Sequence, residues 1–105
     1  SAVGSVAVIM MPVWDGVAKC CGGELCASDG LDRRARSIVN LAMLSSINRG
    51  SELKLHVRGA LNNGVTPDEI KEIFLQVAVY AGVPAGLESF KIAHEVMAEA
   101  GVKTD

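Results

Sequence analysis

The chain has 105 residues, a formal net charge of −2, and half of its residues are hydrophobic. That length fits one small domain, and the balance of charge excludes an electrostatic footprint for nucleic acid, since basic residues cluster only at Arg33, Arg34 and Arg36. No apolar run reaches the roughly 20 residues needed to span a bilayer, so no membrane segment is expected. The mean hydropathy of +0.31 is high for so short a chain. Part of the apolar surface is therefore expected to lie between the subunits of a homo-oligomer.

Residues 1–30 are rich in Gly, Val and Cys and show no helical period. Here VAVIMM fits a buried strand or an apolar helical turn equally well, and it lacks the basic flank of a signal peptide. DGVAKCCGGELCASDG reads as a loop or a short broken helix because of its paired glycines and turn residues. The chain opens on Ser rather than Met, which points to processing, a tag remnant or a fragment. Cys20, Cys21 and Cys26 form no secreted disulfide framework, being odd in number and partly adjacent. They point instead to a reducing cytoplasm. With no second CxxC and no neighbouring His they predict no metal site, and packing or incidental thiols are the plain reading.

From Leu31 onward the pattern is helical. Asp32 can cap a helix whose apolar positions Ile38, Leu41, Ala42 and Leu44 recur at helical spacing, and Asn48, Arg49 and Gly50 end it. Ser51 offers the cap of a second helix running to about Asn63, with Glu52 at its positive end and Gly64 as its left-handed terminator. Thr66-Pro67-Asp68-Glu69 predicts a capping box with proline in the first turn. The third helix should reach Tyr80 or Ala81. It is apolar on nearly every side, which implies burial in the fold or at a subunit interface. Gly82-Val83-Pro84 breaks it, and Pro84 can open a fourth helix ending near Gly101.

The second helix carries two polar strips. With about 100° between successive residues, Leu53, Val57, Ala60 and Leu61 form the core face, and Lys54, Arg58 and Asn62 form an ordinary polar face. Glu52, His56, Gly59 and Asn63 fall on a separate narrow stripe. Glu52 and His56 are four residues apart, so their side chains can meet. A carboxylate beside an imidazole fixes the ring's tautomer, and such a pair can exchange a proton near neutral pH. Gly59 leaves room above the stripe for a ligand or another backbone. The competing reading is an ordinary surface ion pair at a helix edge, which contributes little. Arg33, Arg34 and Arg36 read as a solvated helix start from which one guanidinium can reach a carboxylate. Tyr80 is either core or presents its hydroxyl to a pocket. His94 reads as an edge residue of the last helix.

The run LDRRARSIVNLAMLSSINRGSELKLHVRGALNNGVTPDEIKEI, followed by AVYAGVPAGLESFKIAHEV, resembles the carboxymuconolactone decarboxylase family over residues 31–100. LHVRGALNNGVTPDEI and YAGVP are its specific motifs. The resemblance implies an all-α fold: a small helical subunit of the alkylhydroperoxidase/carboxymuconolactone decarboxylase type that assembles into a ring-like homo-oligomer, commonly a hexamer. It implies conversion of 4-carboxymuconolactone, a dicarboxylate lactone, to 3-oxoadipate enol-lactone in protocatechuate breakdown, with no metal and no organic cofactor. Residues 31–105 then form the helical domain. Residues 1–30 are a divergent segment, because the family usually has a helix rich in aromatic and acidic residues before LDRR.

That chemistry sets physical requirements. The departing carboxylate sits on a carbon conjugated to the lactone carbonyl, so the substrate is its own electron sink. The enzyme must hold two carboxylates, stabilise charge at the lactone oxygen and protonate a ring carbon. The assignments that follow are His56 as proton donor, Glu52 as its orienting partner, and Arg58, Arg33, Tyr80 and Asn63 as substrate-binding residues. Arg58 faces away from the His56 stripe on a single helix, so it serves either a pocket shared between subunits or a structural ion pair. Related alkylhydroperoxidase-like proteins carry a CxxC followed three residues later by His. Counting back from His56, those positions hold Arg49 and Glu52, which disfavours a thiol peroxidase at this site. A redox protein using the N-terminal cysteines and a non-catalytic oligomer that binds small acids are the alternatives.

Overall fold

The computed structural model describes residues 30–102, which belong almost wholly to the second of the two units into which the chain divides, Arg34–Asp105. The readings made on residues 1–29, including those on the three cysteines, lie outside the described residues. Four α-helices follow one another: α1 (Arg33–Ser46), α2 (Gly50–Asn62), α3 (Pro67–Ala81) and α4 (Val83–Glu99). No strand occurs among the described residues, so the fold there is all-α. No helix among them is long and apolar enough to cross a membrane.

The α2–α3 junction follows from its local chemistry. Gly64 takes the left-handed conformation with φ 88°, and the Val65 N–H donates to the Ala60 carbonyl at 2.9 Å. Thr66 then caps α3 in both directions. Its Oγ1 accepts from the Glu69 N–H at 3.1 Å, and its own N–H donates to Glu69 Oε1 at 3.0 Å. Two of the orphan donors at the helix start are thereby satisfied. Gly82, at φ 112°, separates α3 from α4, and Pro84 stands in the first turn of α4.

The α1–α2 junction departs from expectation. Ser51 does not cap α2. The helix begins at Gly50, Arg49 stands at the cap position, and no side chain caps it. The cause lies upstream. Asn48 turns the chain through the left-handed region at φ 61°, and the Arg49 N–H donates to the Leu44 carbonyl at 3.0 Å. The turn closes early, and the Leu53 N–H already donates to the Arg49 carbonyl at 2.8 Å. Ser51 is thus inside the first turn. At the far end, α4 stops at Glu99, two residues before Gly101.

The core is built from the expected face of α2, where Leu53, Val57 and Ala60 are buried, together with Leu41 of α1, Ile70 and Phe74 of α3, and Ala93, Val96 and Met97 of α4. Phe74 meets Phe90 edge to face, with ring centroids 5.9 Å apart. The α3–α4 crossing is tight at Gly86. A Cβ there would lie 2.7 Å from the Ala78 Cβ and 3.2 Å from the Phe74 carbonyl oxygen. The apolar breadth of α3 is only partly absorbed by this core. Ile70, Phe74 and Val77 are buried, whereas Val79 and Tyr80 are 80% and 81% exposed.

Candidate active site

Three polar contacts set α1 against the other helices. Arg34 pairs with the Glu69 carboxylate, the same group that completes the α3 capping box. One side chain thereby links the LDRR and TPDE motifs. Asn63 Nδ2 donates to the buried Ser37 Oγ at 3.0 Å, joining the end of α2 to α1. Ser45 and Ser89 share a hydrogen bond inside the protein, and Ser89 Oγ also donates to the Ala85 carbonyl at 2.8 Å. Buried hydroxyls need such partners, since an unmade bond there costs about 1–3 kcal/mol.

On this frame α2 presents its outer surface. His56 is half-buried and Glu52 is exposed, one turn apart. No hydrogen bond or ion pair joins them among the described residues. Gly59 follows, and a Cβ built on it would meet nothing within 4 Å among the described residues beyond its own stretch of helix. The stripe is therefore an open surface with space above its glycine. Asn63, the fourth member of the stripe, spends its amide on Ser37, a tie that sequence reasoning missed because the partner lies 26 residues away.

The other assigned residues stand elsewhere. Arg58 donates to Glu99 Oε2 at 2.9 Å, and Lys54 pairs with the same carboxylate at 3.4 Å. The plain polar face of α2 is thus tied to the end of α4, which is the structural ion pair anticipated as one role for Arg58. Arg33 is exposed at the start of α1. Tyr80 lines an open groove of about 540 Å³ between α1 and α3, shared with Ile38, Ala42 and Val77. No hydrogen bond or ion pair connects Arg33, Arg58, Tyr80 or Asn63 to His56 among the described residues. His94 is exposed, as its edge position implies, and it borders a second groove with Lys71 and Phe90. Pro67, Lys71 and Phe74 recur at helical spacing, which is the signal that could have placed that groove. No cluster of three His, Cys, Asp or Glu side chains suited to a metal ion occurs among the described residues.

The described residues thus form four helices with a close α3–α4 crossing at Gly86 and a histidine on an open helix stripe. The Carboxymuconolactone decarboxylase family profile matches residues 15–95, and the chain belongs to that family. Over 80 residues it is 42% identical to the 4-carboxymuconolactone decarboxylase of Acinetobacter baylyi, covering 76% of this chain and 60% of that protein. It is 40% identical over 75 residues to the nitrosuccinic acid decarboxylase of Metarhizium robertsii, covering 71% and 52%. An uncharacterized 15.0 kDa protein of Paracoccus denitrificans is 32% identical over 79 residues, covering 73% and 59%. The chain therefore spans between 52% and 60% of the length of these curated relatives.

Proposed function

We propose that the chain is a carboxy-lyase that decarboxylates a small acid carrying its own electron sink, with 4-carboxymuconolactone as substrate and His56 as proton donor. The observation that carries this reading is the 42% identity to a protein named for that reaction. The nitrosuccinic acid decarboxylase supports the broader chemistry. In nitrosuccinic acid a nitro group withdraws electrons from the carbon that bears a carboxylate. In the lactone, the conjugated carbonyl does the same. In both, the bond to the carboxylate breaks, its electron pair is delocalised into the sink, and a proton returns to carbon. The protein's part is to hold the carboxylates, to stabilise the delocalised anion and to deliver that proton.

The open stripe of α2 fits this role as half of a site. His56 is partly shielded, and the space above Gly59 is free. Neither candidate cation is bonded to it among the described residues: Arg58 is paired with Glu99, and Arg33 starts α1. The reading therefore places the rest of the pocket, including a carboxylate clamp, on a second copy in a ring-like homo-oligomer, a hexamer by family resemblance. The exposed apolar side chains of Val79, Tyr80, Val83 and Leu87 support such an assembly. The setting proposed is the cytoplasm, in protocatechuate catabolism, with no metal or organic cofactor.

The test is an ultraviolet assay of the purified chain with 4-carboxymuconolactone and, separately, nitrosuccinate, with sizing of the same sample. Turnover of the lactone by an oligomer is expected. Turnover of nitrosuccinate alone moves the substrate but keeps the reaction class. No turnover of either by an assembled oligomer contradicts the proposal and favours a non-catalytic acid-binding module.

A further inference from the structure

A groove of about 380 Å³ opens between the first turns of α3 and the second half of α4. That is within the roughly 300–1,000 Å³ typical of small-molecule sites. Its floor is core, formed by Ile70, Phe74 and Met97, none more than 4% exposed. The half-buried Phe90 ring forms a wall beside them. The rim on α3 carries two charges, Asp68 and Lys71. Both are exposed, and neither the Lys71 ammonium nor the Asp68 carboxylate is in an ion pair among the described residues. Neither Glu52 nor His56 borders this space.

An apolar floor with the Lys71 ammonium at its α3 edge and the His94 ring on its α4 side selects a particular chemistry. A single ring can displace water from Phe90 and Met97, which favours binding through apolar burial and a sulfur–ring contact. One carboxylate on that ring can accept a charge-assisted hydrogen bond from Lys71 Nζ. A second carboxylate would add negative charge to a rim that already carries Asp68, and like charges at one rim repel. We propose that this groove is a second small-molecule site, separate from the α2 stripe, that takes a single-ring monocarboxylate and discriminates against dicarboxylates. It goes beyond the decarboxylase reading, whose substrate is a dicarboxylate.

Ligand-observed NMR titrations of benzoate and of phthalate onto the full chain test this. Benzoate is expected to bind more tightly than phthalate. Lys71→Ala should weaken benzoate at least about fivefold, as loss of a charged hydrogen bond at an exposed position implies. Asp68→Asn should bring phthalate towards benzoate. His56→Ala should leave benzoate binding unchanged, which separates this site from the proposed catalytic one whether or not the lactone is turned over. Both rim substitutions lie at exposed positions, so folding is preserved. The site is overturned by absence of benzoate binding at about 10 mM, the weak end of the affinity such a small ligand can reach. It is equally overturned by phthalate binding as tightly as benzoate, by benzoate binding that survives Lys71→Ala intact, or by binding lost in His56→Ala.

Discussion

Two glycines, Gly59 and Gly86, lie past the first residue of a helix among the described residues, and they mark opposite kinds of place. At Gly86 the α3 and α4 backbones are so close that a methyl group would sit 2.7 Å from the Ala78 Cβ. At Gly59, on α2, a methyl group would meet nothing within 4 Å. Glycine in a helix interior is costly compared with alanine, so each position needs a reason. The structure supplies one at Gly86, where close packing permits no side chain. It supplies none within the protomer at Gly59. The difference separates a position that its own fold fills from one that the described residues leave open. His56 stands one turn before that second glycine.

The contrast can be broken at several points. Gly86→Ala has the largest expected effect, a loss of about 1–3 kcal/mol from overpacking against backbone and a short side chain. Chemical denaturation would read it, and an unchanged midpoint would mean that the crossing is looser than described. Next comes Thr66→Ala, which removes the acceptor for the Glu69 N–H and should cost about 1 kcal/mol. A clearly larger loss would show that the capping box, with Arg34 on the same Glu69, acts as one network. Gly59→Ala is predicted to stabilise an isolated protomer by about 0.5–1 kcal/mol through helix propensity. If the space above it holds substrate or a second copy, the same variant will lose turnover or assembly while its helix gains stability. Unchanged turnover and assembly would make the open space incidental. Arg58→Ala is expected to shift stability least, by less than about 1 kcal/mol, because the pair with Glu99 is half exposed. A strong loss of activity in that variant would return Arg58 to the site.

What could be read from the sequence follows the range of the forces involved. The Thr66–Glu69 box, the turn at Gly64 and the break at Gly82 depend on residues within a few positions of one another, and all three stand in the structure. The buried face of α2 was equally legible, since periodicity reports burial directly. Ser51 was misplaced because the chain turns at Asn48, in the left-handed conformation that Asn tolerates, and α2 starts directly after that turn. The partners of Asn63 and Arg58 were out of reach for a different reason. They lie 26 and 41 residues away, and no local pattern encodes which side chain a third helix will bring. The candidate site divides in the same way. The stripe with Glu52, His56 and Gly59 was visible on one helix, but no spacing rule shows whether Glu52 and His56 pair. In the protomer they do not.

The central claim is that the open stripe of α2 donates the proton in a decarboxylation. The most direct measurement is the kcat of His56→Ala against that of the unaltered chain on 4-carboxymuconolactone, in samples of matched oligomer size and melting temperature. The account predicts a fall of at least about a hundredfold, as loss of an acid–base group produces. A His56→Ala protein that turns over the lactone at the unaltered rate would contradict it.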